Sequence, residues 1–176
     1  EKAARGLISY FNSSEEYIEL TVLKDGQAFE LFNERETAHL KDVKALVQLN
    51  RRLLTGTAVY IGIYARMCLF WRKREYRHRL ARGTLIGSII TVGMIAALGL
   101  GSMLMDFDQI FLRFHYLAFT NELWMLDPSR DYLIMLFPRG FWYDAMLFCV
   151  LATTVVAVIL GGVGAIYLRL SRSQPA

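Results

Sequence analysis

The residues best suited by type to move protons near neutral pH are three histidines, His39, His78 and His115. His78 sits between two arginines, Arg77 and Arg79, and reads as a solvated bystander. His39 lies in a polar, helix-forming stretch, with Asp42 three residues on, so that the carboxylate can reach the imidazole. His115 lies inside an aromatic stripe, Phe107, Phe111, Phe114, Ala118 and Phe119, whose spacing is helical. A metal held by these two with Asp42, Glu122 or Asp127 as third ligand would call for a spacing such as His-Glu-x-x-His, which is missing, so no metal or other cofactor is expected. A serine nucleophile would announce itself as Gly-x-Ser-x-Gly, also missing, and Ser13 and Ser14 read as turn residues. Cys68 and Cys149 lie in apolar runs as small hydrophobes. Two neutral imidazoles suit acyl transfer without a protein nucleophile. One takes a proton from an attacking amine or water, and the other donates to a developing oxyanion or leaving alkoxide.

Such a pair must be positioned, and composition says by what. Of 176 residues, 55% are hydrophobic and 20% charged, against about 45–50% and about 25% in soluble domains. The excess is concentrated in three runs, 53–71, 83–105 and 145–168, each long enough for a helix to cross about 30 Å of hydrocarbon. The first holds one charge, Arg66, which can snorkel to an interface. Gly161 and Ala165 have the small-xxx-small spacing of close helix packing. Disorder and a disulfide scaffold are excluded by composition, and without a basic stripe interleaved with aromatics no nucleic acid is expected as partner.

The connecting segments set an orientation. Residues 72–82 carry six basic side chains and one acidic, and the tail 169–176 adds Arg169 and Arg172. Residues 1–50 carry six basic and nine acidic side chains, and 106–144 three and six. The positive-inside tendency puts 72–82 and the tail in the cytoplasm, and 1–50 and 106–144 together on the outer face as an extracytoplasmic cap. Arg51 and Arg52 run mildly against it. The chain opens without Met and in polar sequence, which predicts a further helix upstream.

Within the first cap segment, residues 1–11 predict a helix with Leu7, Ile8 and Phe11 on one side, ended by Asn12-Ser13-Ser14. Asp25-Gly26 between alternating apolar runs predicts a β-hairpin over about 17–33, with Ile18, Leu20 and Val22 on its inner face. Asn33 as N-cap opens a helix over about 34–50, with His39, Val43 and Leu46 on one face. The second segment, 106–144, is rich in aromatics but broken at Asp127-Pro128, which suits an amphipathic segment lying along the outer interface in contact with membrane lipid.

Three stretches carry a resemblance. They are Glu34-Arg35-Glu36-Thr37-Ala38-His39-Leu40-Lys41-Asp42-Val43-Lys44-Ala45-Leu46, the run from Phe114-His115-Tyr116-Leu117-Ala118-Phe119-Thr120-Asn121-Glu122-Leu123-Trp124 to Asp127-Pro128, and Phe137-Pro138-Arg139-Gly140-Phe141-Trp142-Tyr143-Asp144. Together they resemble the bacterial lipoprotein intramolecular transacylase family. The resemblance implies a mainly α integral membrane protein of the cytoplasmic membrane, with four membrane helices in the family and three present here. It also implies migration of an acyl chain from the glyceryl sn-2 oxygen to the α-amino group of a diacylated lipoprotein's N-terminal cysteine, giving an N-acyl lyso-form. The family's two histidines map onto His39 and His115. The apolar stripe around His115 favours it as the base, leaving His39 for the oxyanion or leaving group. Asn121, Trp124, Asp127 and Asp131 are candidate wall or supporting residues, with Asp42, Phe114, Phe119 and Phe141 beside them. Two other readings fit the same residues: a non-catalytic subunit or sensor whose aromatic cap binds lipid, and a membrane lipid esterase.

Overall fold

The computed structural model describes residues 2–24, 26–70, 74–103 and 105–172. Along the chain come α1 (Lys2–Asn12), β1 (Thr21–Lys24), β2 (Gln27–Glu30), α2 (Glu34–Phe70), α3 (Arg74–Ser102), α4 (Phe107–Ala118), α5 (Tyr132–Leu136) and α6 (Arg139–Arg172). The protein is mainly α, and α2, α3 and α6 are long and apolar enough to cross a membrane. The chain divides into two compact units, one of residues 1–55 and 111–142, the other of residues 56–110 and 143–176.

The first unit buries a core of Leu7, Tyr10, Ile18, Leu31, Phe32, Leu40 and Leu133, drawn from α1, the hairpin, α2 and α5. In α1 the buried face is Leu7 and Tyr10, with Ala3 and Phe11 beside them. Ile8, expected on that face, is 64% exposed, because Leu7 and Tyr10 three apart already fill the side that meets the core. The hairpin pairs Val22 with Phe29 and Lys24 with Gln27 in antiparallel register. Gly26 in its turn has φ +81°, a left-handed conformation that suits glycine. Leu20 and Val22 pack on the core from the inner face, as the alternation predicts. Lys44 is buried yet satisfied: its ammonium donates to the Glu15 carbonyl at 2.6 Å and Ser13 Oγ at 3.2 Å, and stands 4.0 Å over the Tyr10 ring.

Helix α2 opens on a reciprocal cap. Asn33 Oδ1 accepts from the Glu36 N–H at 3.0 Å, and Glu36 Oε2 accepts from the Asn33 N–H at 2.8 Å. The expected break between a cap helix ending near residue 50 and a span beginning at 53 does not occur. No Gly or Pro interrupts Asn50-Arg51-Arg52-Leu53, and Arg51, Arg52 and Leu53 favour helix, so α2 runs unbroken for 37 residues.

In the second unit the basic stretch expected as a loop over 72–82 is largely helix, since α3 already begins at Arg74. Glu75 and Arg79 pair one turn apart there, supporting the helix. Arg72 and Lys73 lie outside the described residues. Likewise α6 extends past both ends of the expected span 145–168, with no Pro between Pro138 and Ser171. Its small-residue stripe is Ala157, Gly161 and Gly164, not Gly161 and Ala165. A Cβ on Gly161 would stand 2.8 Å from Ser88 Cβ, and one on Gly164 2.8 Å from the Ala81 carbonyl oxygen, so α3 and α6 approach closely at these positions, backbone against backbone at Gly164. His78 is half-buried and packs edge-on against Tyr167 at 5.6 Å, so it is not the fully solvated side chain expected.

A candidate active site of two facing histidines

His39 is the sixth residue of α2, and the turn beneath it is tied down. Glu36, 1% exposed, accepts from the Leu133 N–H at 2.6 Å besides closing the α2 cap. Asn33 Nδ2 donates to Asp131 Oδ1 at 2.9 Å, and Asp131 Oδ2 accepts from the Asp127 N–H at 2.6 Å. Two buried carboxylates thus hold the 127–133 segment to the start of α2, each accepting more than one N–H.

His115 occupies the last turn of α4. Its Nδ1 lies 2.7 Å from the Phe111 carbonyl oxygen. A carbonyl only accepts, so Nδ1 carries the proton and Nε2 of the neutral ring presents a lone pair.

The two imidazoles face each other, with ring centroids 6.1 Å apart and planes tilted by 37°. Both are buried. Phe119 touches both, at 5.1 Å from His39 and 5.6 Å from His115. Phe111, Phe114 and Trp124 complete the wall around His115 at 4.2, 5.3 and 5.0 Å. Burial, then the neighbouring His115, pushes the His39 imidazole down to about 4 against a smaller opposing pull from Asp42. Burial also lowers His115, opposed by its bond to the Phe111 carbonyl. Both rings are therefore largely neutral at neutral pH, the form in which an imidazole can either accept or donate a proton.

Asp42 does not hold His39. Its Oδ2 accepts from Asn121 Nδ2 at 2.8 Å, while His39 Nδ1 is buried without a partner. Asp42 lies three residues along α2, and its short side chain is spent on the neighbouring loop rather than on the helix's own face. Asn121 Oδ1 in turn accepts from the Leu123 N–H at 3.0 Å, so Asn121 fixes the loop that carries Trp124. Asp127 is exposed and caps a turn, accepting from Ser129 N–H and Oγ–H at 2.9 and 2.7 Å. Phe141 packs on Phe137 and Trp142 instead of the imidazoles. The structure thus gathers His39, His115, Phe114, Phe119 and Trp124, supports them through Asp42, Asn121 and Asp131, and leaves Asp127 and Phe141 apart.

Sequence reasoning missed Glu36 and the Phe111 carbonyl. The Asn-x-x-Glu capping pattern could have signalled the first, and the i, i−4 relation to His115 the second. Among the described residues no three His, Cys, Asp or Glu side chains come together as metal ligands.

No curated protein matches the chain in sequence. A solved structure, the membrane integral lipoprotein intramolecular transacylase Lit from Bacillus cereus, shares its fold with a TM-score of 0.74. The two are 22% identical, and the alignment covers 98% of this chain and 74% of that one. The family model of the lipoprotein intramolecular transacylase Lit matches residues 1–142, a stretch that contains both facing histidines. With the match extending over most of its length, the chain belongs to the lipoprotein intramolecular transacylase Lit family.

Proposed function

We propose that this protein moves one acyl chain, within a single lipoprotein substrate, from the glyceryl sn-2 oxygen to the α-amino group of the N-terminal diacylglyceryl cysteine. The observation that carries this reading is the pair of buried, neutral imidazoles 6.1 Å apart inside an aromatic enclosure.

The α-amino group has a pKa of about 7.7–8.0 and must shed a proton to attack. His115 is the base in this reading, because its Nδ1–H is committed to the Phe111 carbonyl and its Nε2 lone pair is free to accept. The amine nitrogen bonds to the acyl carbon, the carbonyl π pair moves onto oxygen, and the amine proton passes to His115 Nε2. Collapse breaks the bond from carbon to the sn-2 oxygen, whose electron pair takes up that proton. Neutral His39 donates to the oxyanion or the departing oxygen. Counted from the free amine, no proton or electron is left over, and the substrate's mass is unchanged.

Attack closes a medium-sized ring through the cysteine sulfur and glyceryl carbons, so orienting a flexible substrate is the enzyme's main task. Phe114, Phe119 and Trp124 suit a lipidic substrate and favour the amine over water. The charge asymmetry of residues 72–82 supports a multi-pass protein of the cytoplasmic membrane with the histidine pair on its outer face.

The test is mass spectrometry of a lipoprotein's N-terminal lipopeptide from a host lacking N-acylation, expressing the protein, His39→Ala or His115→Ala. An N-acyl, mono-acylglyceryl cysteine of unchanged mass, lost in both folded variants, is expected. A diacylglyceryl cysteine with a free amine, made alongside folded wild-type protein, would overturn the reading in favour of a lipid-binding role. Free fatty acid in place of N-acyl product would point to an esterase.

A further inference from the structure

A buried N–H without an acceptor is costly, and native folds keep few of them. Among the described residues the buried side-chain nitrogens without a partner are Arg35 Nε, His39 Nδ1 and Trp124 Nε1. The Arg35 guanidinium already donates through Nη2 to the Glu122 carbonyl at 2.7 Å. The other two belong to rings that stand against one imidazole, with His39 at 6.1 Å and Trp124 at 5.0 Å from His115.

The indole is the more telling of the two. Its single polar atom only donates, so neither a ring flip nor a change of tautomer relieves it. Trp124 is 7% exposed, and its Nε1 is closed off from the surface without a protein acceptor. Its backbone is pinned: the Leu126 N–H donates to the Trp124 carbonyl at 2.9 Å, and Asn121 fixes the preceding turn to Asp42. A phenylalanine would wall the site with no polar atom to satisfy. The fold instead places a buried N–H donor on a ring packed against the His115 imidazole, and no protein group accepts from it.

We infer that the Trp124 indole N–H donates a hydrogen bond to the carbonyl oxygen of the migrating acyl group, and that this bond strengthens as the oxygen gains charge in the tetrahedral intermediate. The inference rests on the two-histidine transfer reading. Trp124 moves no proton. It accepts no electrons, and releases the oxygen when the π pair returns and the ester C–O bond breaks. A preorganised donor of this kind lowers the barrier because it needs no reorganisation when charge develops.

The test uses the full chain in nanodiscs with a synthetic diacylglyceryl-cysteinyl peptide, following N-acyl product by mass spectrometry. Two changes remove the donor: Trp124→Phe, and a benzothienyl analogue of Trp124 in which sulfur replaces the N–H at the same size. The expected result is kcat lower by about 10²–10³-fold with KM changed only a few-fold, as for other lost oxyanion donors. The melting temperature of the analogue is expected to hold or rise, because a donor with no partner in the free protein is lost. A wild-type kcat in the analogue overturns the inference. So does a lowered melting temperature with kcat retained, which would assign the N–H to the face of Tyr116, whose ring lies 5.0 Å away at 86°. His39→Ala and His115→Ala run in parallel. Activity in those variants refutes the histidine reading itself, whereas their inactivity beside an active analogue refutes only the role of Trp124.

Discussion

Acidification from pH 8 to 5 should destabilise this protein through His39 before it protonates the folded ring. An unfolded histidine titrates near 6.5, whereas burial and the neighbouring His115 hold the folded His39 near 4. Above pH 6.5 both states carry a neutral ring and the stability is fully present. As the pH falls below 6.5, the unfolded chain takes up a proton that the fold refuses, and stability is lost until the folded ring also titrates near 4. The full loss is about 3 kcal/mol, of which about 2 kcal/mol is gone by pH 5. His115, also lowered by burial, adds a loss of the same sign. Thermal unfolding of wild type and His39→Gln in detergent at pH 8, 6.5 and 5 isolates the His39 share. The variant should gain on wild type by roughly 4–8 °C between pH 8 and 5, whatever their difference at pH 8. Histidine ring-proton NMR reads the same quantity directly, as a His39 signal that does not titrate above pH 5. Identical pH dependence in the two proteins, or a His39 midpoint between 6 and 7, would refute the reasoning. Either would mean a hydrated imidazole, charged for part of the neutral range.

Glu36→Ala leaves the buried Leu133 and Asn33 N–H groups without their acceptor and should cost about 3 kcal/mol in thermal unfolding, with Glu36→Gln costing less because one oxygen remains. Gly164→Ala drives a methyl group to 2.8 Å from the Ala81 carbonyl and should destabilise by about 1–3 kcal/mol, while Gly162→Ala, with open space around it, should be near neutral in the same assay. Gly26→Val forces a branched side chain into φ +81° and should cost about 1–2 kcal/mol without changing the pH dependence of unfolding.

The periodic and compositional features of this fold were legible because each depends on neighbours along the chain. Three apolar runs, the Asp25-Gly26 hairpin, the Asn33 cap and the helical spacing of Phe107, Phe111 and Phe114 are local signals, and each element formed where they lie. Boundaries were less legible. Whether a polar helix merges with the apolar one after it is decided by the absence of a breaker, so α2 runs through Arg51 and Arg52, and α3 takes up most of the basic stretch. The aromatic character of the site and the candidacy of His39 and His115 could also be read from residue types and spacing.

Partnership was settled in three dimensions. Asp42 lies three residues from His39, yet its carboxylate goes to Asn121, 79 positions away in sequence. The protonated nitrogen of His115 is chosen by the Phe111 carbonyl, and Trp124 is left with an N–H that nothing accepts. By itself the sequence determined a membrane protein with two candidate histidines on aromatic and polar helices, because hydrophobic runs and helical periods are properties of neighbouring residues. Only the tertiary structure decided that the two rings face each other, which of them presents a lone pair, and that both are neutral. Proximity, tautomer and burial depend on which distant segments the fold brings together.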